Sequence, residues 1–502
     1  MRKMNARTAI VEELSPDFPE IREEIEAINT YYSSKATVRA YRFTFLLQKA
    51  DDLAQISGLK DEDFLASATL INYKNGEGAD KSYIYRAIVA VPKIYNSSLA
   101  SPLPLLNVYL HVCKTFPCDV SVSETGVHKF NVTGTLFAQQ NGITSVCCHA
   151  ALSTCINNAV FLSRPMLSSE DINKGLGIDH IKVRFGKGNT DKKGLTVLEV
   201  DGFFKKSNLN VFWIDFFGNP LVQYNQWIYN YIESGCPVLL FFTTENPNEL
   251  HVVSVLGHTL LSDIWRSEAE PVYSTFSERF EYKPASKWID NFIIHDDNFG
   301  MNLCLPIDSL KRTTFPKYDP TFRARWAAVV LPDNVRTQAI EAEYASSVVT
   351  EDALKFRETK GPLDFWCQRL LQNPEAKVIR TFLLSREEYE YSLHNTDFYG
   401  NSFSPDDREA LTRGLPPLFW LAEITTIDLY CANKTKIIDF VYGCEFAQWK
   451  DANEVFSRWL QIRFPSVLIT RDANNSYVPT PLSVGSHYPI VRLKNQTNSL
   501  DW

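Results

Sequence analysis

The chain has 502 residues, a formal net charge of −8, and is 45% hydrophobic and 13% aromatic. That length exceeds one ordinary core, so two or three packed units are expected, with disorder confined to the ends. The acidic balance and the lack of a long Lys/Arg stripe argue against nucleic acid as a partner, and apolar runs such as PVLLFF (237–242) are far too short to insert in a membrane.

The opening MRKMNARTAIVEEL meets acidic residues before any apolar core, so no signal peptide is expected. Within residues 1–35, VEEL and PEIREEIEAINTYY read as a charged helical beginning. From Tyr41 to Phe137 the segments YRFTFLL, YIYRAIVAVP, NVYLHVC and HKFNVTGTLF have the β-branched and aromatic density of strands, and ISGLKDEDFL (56–65) reads as a turn or short helix between them. CCHAALSTCINNAVFL (147–162), LTVLEVDGFFKKSN (195–208) and VQYNQWIYNYIESG (222–235) read as helices, with Gly235 as a stop. NVFWIDFFGNP (210–220) reads as core before cleft wall.

CPVLLFFTT (236–244), the turn ENPNEL and HVVSVLGHTLL (251–261) form an expected antiparallel pair, followed by SKWIDNFIIHDDNFG (286–300). Beyond Leu331 the composition shifts to helices in AIEAEYASSVV and EDALKFRETKGPLDFWCQRLLQ. Strands then follow at KVIRTFLLS, PLFWLAEITTIDLYC and KTKIIDFVYG. The expected fold class is α+β, in three parts: 1–135 helical and β-rich, 136–331 carrying the chemistry, and a C-terminal α+β unit at 332–502. Ten cysteines scattered through so long a chain, two of them adjacent, fit a reducing compartment, and the cytoplasm is expected.

Three places hold residues suited to acyl chemistry. Cys147 opens a helix of small residues, where unpaired amides and the positive dipole end favour a thiolate, with Thr144 or Ser145 as its cap and Gly142 permitting the preceding turn. Gln139 or Gln140 lies close enough in sequence to donate an amide hydrogen to an oxyanion. A buried cysteine pair in a core helix is the equal alternative for that stretch alone. His251 begins a valine-rich strand, leaving its imidazole at a sheet end. His258, seven residues on, falls on the opposite face of a regular strand. Asp296 ends IIHD, where a carboxylate beside His251 would hold the imidazole toward a thiol, while Asp297 and His295 point the other way if the strand runs through both.

With Q140, C147-C-H-A-A-L152, H251-V-V-S-V-L-G257 and D296-D-N-F-G300, the stretch 139–300 resembles papain-like cysteine peptidases, most nearly the C39 and C39-like group. That resemblance implies a papain-like core, with Cys147 as nucleophile, His251 as general base and acid, Asp296 as orienting partner and Gln140 as oxyanion donor. Cys148 stands where the group has glycine and Asp297 where it has proline. Gln139 remains a rival donor and Cys148 a rival nucleophile, although only one of two adjacent helical residues faces a cleft well. Cys147 fits the C39-like spacing, and the papain CGSCW signature is missing.

The expected activity is hydrolysis of a peptide or isopeptide bond in a protein or peptide substrate, through an acyl-enzyme. Acyl transfer by the same thiol, and an inactive scaffold that binds protein, are the rival readings. No cofactor is expected: GKGNTDKKG (186–194) lacks phosphate-loop spacing, and no HExxH is present. No metal is expected either, since neither Cys147-Cys148-His149 nor Cys113 with Cys118 has the spacing of a zinc knuckle. Oligomeric state is not legible.

Overall fold

A computed structural model of the chain describes residues 1, 4–32, 37–74, 78–90, 107–110, 112–123, 126–143, 145–178, 194–219, 222–243, 250–260, 273–274, 281–307, 323–372, 377–395, 402–433, 435–445, 455–472, 474, 476–485, 487–491 and 497–498. Helices and antiparallel strands are mixed throughout, an α+β architecture. The turn ENPNEL, save Leu250, and the stretch 186–193 lie outside the described residues.

The first sheet is built from β1 (Thr8–Leu14), β2 (Val38–Leu46), β3 (Phe64–Lys74) and β4 (Asp80–Ala90). After β5 (Asn107–Leu110) come β6 (Lys114–Ser121) and β7 (Val127–Phe137), which complete the order β1-β2-β3-β4-β7-β6. VEEL is strand, not helix: TAIVEEL alternates between less and more buried positions and pairs with β2 along its whole length, so a two-residue period prevails over the helix preference of glutamate. Helix α1 (Arg22–Tyr31) does form, and Ile25 and Ile28 pack with Ile71, Tyr83 and Ile143. The turn that leads to Cys147 is thereby anchored to the first sheet.

Helix α2 (Cys147–Asn158) follows, then α3 (Ser169–Leu176) and α4 (Val197–Lys206). The second sheet begins with β8 (Asn210–Asp215). Helix α5 (Tyr224–Glu233) ends where Gly235 takes a φ of 70°, a left-handed conformation that only glycine adopts freely. There follow β9 (Val238–Thr243), β10 (Leu250–Leu260), β11 (Tyr273–Ser274), β12 (Glu281–Pro284), β13 (Asn291–Asp296), β14 (Gly300–Pro306) and β15 (Ala324–Leu331). The order of the second sheet is β14-β13-β10-β9-β15-β8, with β5 also paired to β10. NVYLHVC therefore contributes its strand to the second sheet and not to the first.

Helices α6 (Ala339–Lys360) and α7 (Phe365–Gln372) lead into β16 (Lys377–Ser385). Helices α8 (Arg386–Asn395) and α9 (Pro405–Thr412) precede β17 (Leu418–Thr426). After them come β18 (Thr435–Lys436), β19 (Ile438–Gly443), β20 (Trp459–Phe464), β21 (Val467–Arg471) and β22 (Tyr477–Pro481). The third sheet runs β11-β12-β16-β17-β19-β20-β21-β22, and its β12–β16 pairing is parallel.

Helix α5 packs on both β10 and β16, so it is shared by the second and third sheets. One continuous cluster holds Trp227 and Ile228 of α5, Val253 and Val255 of β10, Ala342 and Val349 of α6, and Trp420 and Phe440 of the third sheet. This core and the β12–β16 pairing both cross the composition shift near Leu331. A second cluster joins Cys148, Ala151, Leu152 and Cys155 of α2 to Leu239, Phe241, Val252 and Ala328. Burial of those small and apolar side chains seats α2 against the second sheet, with its first turn near the end of β10 where His251 lies.

Candidate functional site

The loop before α2 is shaped by Asn141. Its side-chain oxygen accepts from the backbone amides of Ile143 (2.8 Å) and Ser145 (3.1 Å), and Gly142 takes a φ of 73°. Contrary to the expected Ser145 cap, Val146 is the N-cap and no side chain caps the helix; Thr144 lies outside the described residues. The first turn also has no acidic residue. Its positive end therefore acts on Cys147 without a local anion to offset it.

Within the adjacent pair, Cys148 is 2% exposed and lies in the cluster beneath α2, whereas Cys147 is half-buried at the open side. The 100° step between neighbouring helical side chains accounts for the difference.

His251 Nε2 lies 3.0 Å from Asp296 Oδ2, and the Phe242 ring meets the imidazole edge-on at 5.4 Å. Burial alone would lower the histidine pKa. Hydrogen bonds to Asp296 and to Cys147, with the charge of both, outweigh it and push His251 up to about 10. The imidazole is thus held between a thiol and a carboxylate. Asp296 Oδ1 accepts from the amides of Asn298 (2.8 Å) and Phe299 (3.2 Å). Burial raises the Asp296 pKa, but His251 and these amides lower it by more, so the carboxyl stays below its ordinary value.

Gln140 Nε2 donates to Asn298 Oδ1 at 2.5 Å, which places this amide against the turn that carries Asp296. Gln139 faces elsewhere: its side-chain oxygen accepts from the Ile84 amide at 2.8 Å, and its backbone amide donates to the Ile84 carbonyl at 2.9 Å. Gln139 thus continues the pairing of β7 with β4 in the first sheet.

Other histidines lie apart. His258 is fully buried, with Nε2 2.6 Å from Glu233 Oε1. His149 Nε2 is 2.9 Å from Asn173 Oδ1. His295 lies between the Leu136 carbonyl and Asn302, each at 3.1 Å, and burial pushes it down to about 4.

Asp297 departs from the expectation that it points away. The strand stops at Asp296, with a register irregularity between Ile294 and Asp296, and Asp297 begins the turn. Its Oδ1 comes within 3.8 Å of His251 Nε2, and its side chain is 3% exposed. Neither carboxylate oxygen has a hydrogen-bond partner among the described residues. Burial, reinforced by the neighbouring Asp296 charge and only partly offset by His251, raises Asp297 to about 6. Its one advance signal is Asp-Asp where the resembling group has Asp-Pro.

No protein-family model, curated protein or solved structure matches the chain. No helix among the described residues is long and apolar enough to cross a membrane.

Proposed function

We propose that the chain is a papain-like thiol hydrolase that cleaves a peptide or isopeptide bond through an acyl-enzyme. The observation that carries this reading is the placement of His251 between Cys147, at the start of an uncapped helix, and Asp296, 3.0 Å from Nε2. With Nε2 committed to Asp296, Nδ1 is the ring nitrogen left for the thiol. Asp296 is a positioning residue: it fixes the tautomer and stabilises the imidazolium.

With the Cys147 proton already held on Nδ1, the thiolate forms a C–S bond to the carbonyl carbon. The carbonyl π electrons move to oxygen, where the first-turn amides of α2 and the Gln140 amide stabilise the charge. Collapse re-forms the carbonyl and breaks the C–N bond, and Nδ1–H protonates the leaving amine. Water then gives a proton to Nδ1 and attacks the thioester; the C–S bond breaks, and the sulfur leaves as the thiolate beside Nδ1–H.

Alkylation with stoichiometric iodoacetamide between pH 5 and 9, read by intact mass and peptide mapping on wild type and His251→Ala, tests the reading. Rapid modification of Cys147 at acidic pH that is lost in the variant is expected. Modification of Cys147 no faster than of the other cysteines, and indifferent to His251, would return the site to a structural role.

A further inference from the structure

We propose that His251, Asp296 and Asp297 form a binding site for a divalent transition-metal ion of the zinc type. The donor set is one imidazole nitrogen and two carboxylates, whose ligand atoms all lie within 4.8 Å of one another. A tetrahedral ion with bonds of about 2.0–2.1 Å places its donors roughly 3.3 Å apart. The separations of His251 Nε2 from Asp296 Oδ2 (3.0 Å) and Asp297 Oδ1 (3.8 Å) bracket that spacing.

A second observation points to a cation. The Asp297 side chain is 3% exposed, faces the imidazole, and has both oxygens unpartnered among the described residues. Burial of a carboxylate without donors is costly, and a bound cation is one of the few ways to satisfy both oxygens at once. His251 is accessible enough for entry, its side chain being 14% exposed. Imidazole with carboxylates suits zinc, cobalt, iron or manganese, and three protein donors leave a coordination position open.

Binding is a proton exchange. The Nε2–H now shared with Asp296 leaves to solvent, its nitrogen lone pair goes to the metal, and the ring's remaining proton stays on Nδ1. The site itself does not depend on Cys147 being a nucleophile.

The test is titration of the full, metal-stripped chain with Co²⁺, read by visible absorption, on wild type, Cys147→Ala and Asp297→Asn. Expected are one equivalent bound by wild type and Cys147→Ala with the same d–d spectrum and no thiolate-to-cobalt charge transfer, and binding at least about 10-fold weaker in Asp297→Asn. Thiolate charge transfer in the first equivalent, unchanged affinity in Asp297→Asn, or no saturable binding would each overturn the site. Melting of Asp297→Asn without metal establishes that it is folded. The alkylation rate of Cys147 in the metal-free chain, measured beside it, reports separately on the thiol reading.

Discussion

Strand β10 carries two histidines set in opposite kinds of charge cluster. His258, 0% exposed, meets Glu233, which also accepts from Arg380 Nε at 2.8 Å. Arg380 donates to Glu423 at 2.6 Å, and Lys436 bridges Glu423 and Asp439, both at 2.7 Å. Arg463 donates to Asp439 at 2.8 Å and lies over the Tyr488 ring. Carboxylates and cations alternate from Glu233 to Arg463, so Glu423 and Asp439 each have a positive group on either side. Arg463 and Lys436 together hold Asp439 down to about 2 against the effect of burial. At His251 the alternation fails: two adjacent carboxylates share one imidazole, and the second has no donor among the described residues. A buried charge with partners on both sides fixes how α5 and the third sheet meet; a buried charge without them marks a place where a ligand, proton or metal belongs.

Removing a cation from the alternating chain has the largest expected effect. Arg380→Met leaves Glu233 and Glu423 buried without their shared partner and should cost about 3–5 kcal/mol of stability, measured by urea denaturation. A loss below 1 kcal/mol would mean that the network contributes little to the folded state. The matching change at the other histidine, His251→Ala, should leave the fold intact and slow alkylation of Cys147 by roughly 10²-fold at pH 6, where an ordinary thiol is almost wholly protonated. Asp296→Asn keeps the shape but removes the charge that opposes burial of the imidazole. It should lower the His251 pKa from about 10, an effect visible by NMR titration of the ring.

The parts of the site legible in the sequence are those fixed by local structure. Cys147 is readable because a run of small residues after a glycine turn makes a helix start, and His251 because valine alternation makes a strand whose first residues lie at a sheet end. Asp296 follows from a strand that closes on an acid and a glycine turn. The direction of Asp297 was not legible, because it depends on where β13 stops, and a register irregularity against β14 decides that. Gln139 and Gln140 were inseparable for a similar reason: only pairing with Ile84 shows that the first belongs to the sheet.

In the fold, the NVYL part of NVYLHVC is a strand, but its membership of the second sheet is a long-range fact. The alternating charges on β16, β17, β19 and β20 look in sequence like ordinary strand polarity. Their burial is set by α5 and by neighbouring strands distant along the chain. Helices α8 and α9 are short and polar, and their apolar residues are too few to display a clear helical period.

The smallest expected effect has an unusual sign. Asp297 titrates near 6 in the fold against an ordinary value of 3.8, because burial and the Asp296 charge oppose its ionisation. Between those values the folded state binds more protons than the unfolded one, so this group favours folding less as pH rises. Asp297→Asn removes the penalty without removing a hydrogen bond, since neither oxygen has a partner among the described residues. The variant should therefore melt higher than wild type at pH 7, by on the order of 2 °C, with most of that gain gone at pH 4. Co²⁺ should raise the wild-type melting temperature toward that of the variant, because it binds the same oxygens in the folded state alone. If the variant instead melts lower at pH 7, Asp297 has a donor that holds it ionised, and the contrast between the two ends of β10 disappears.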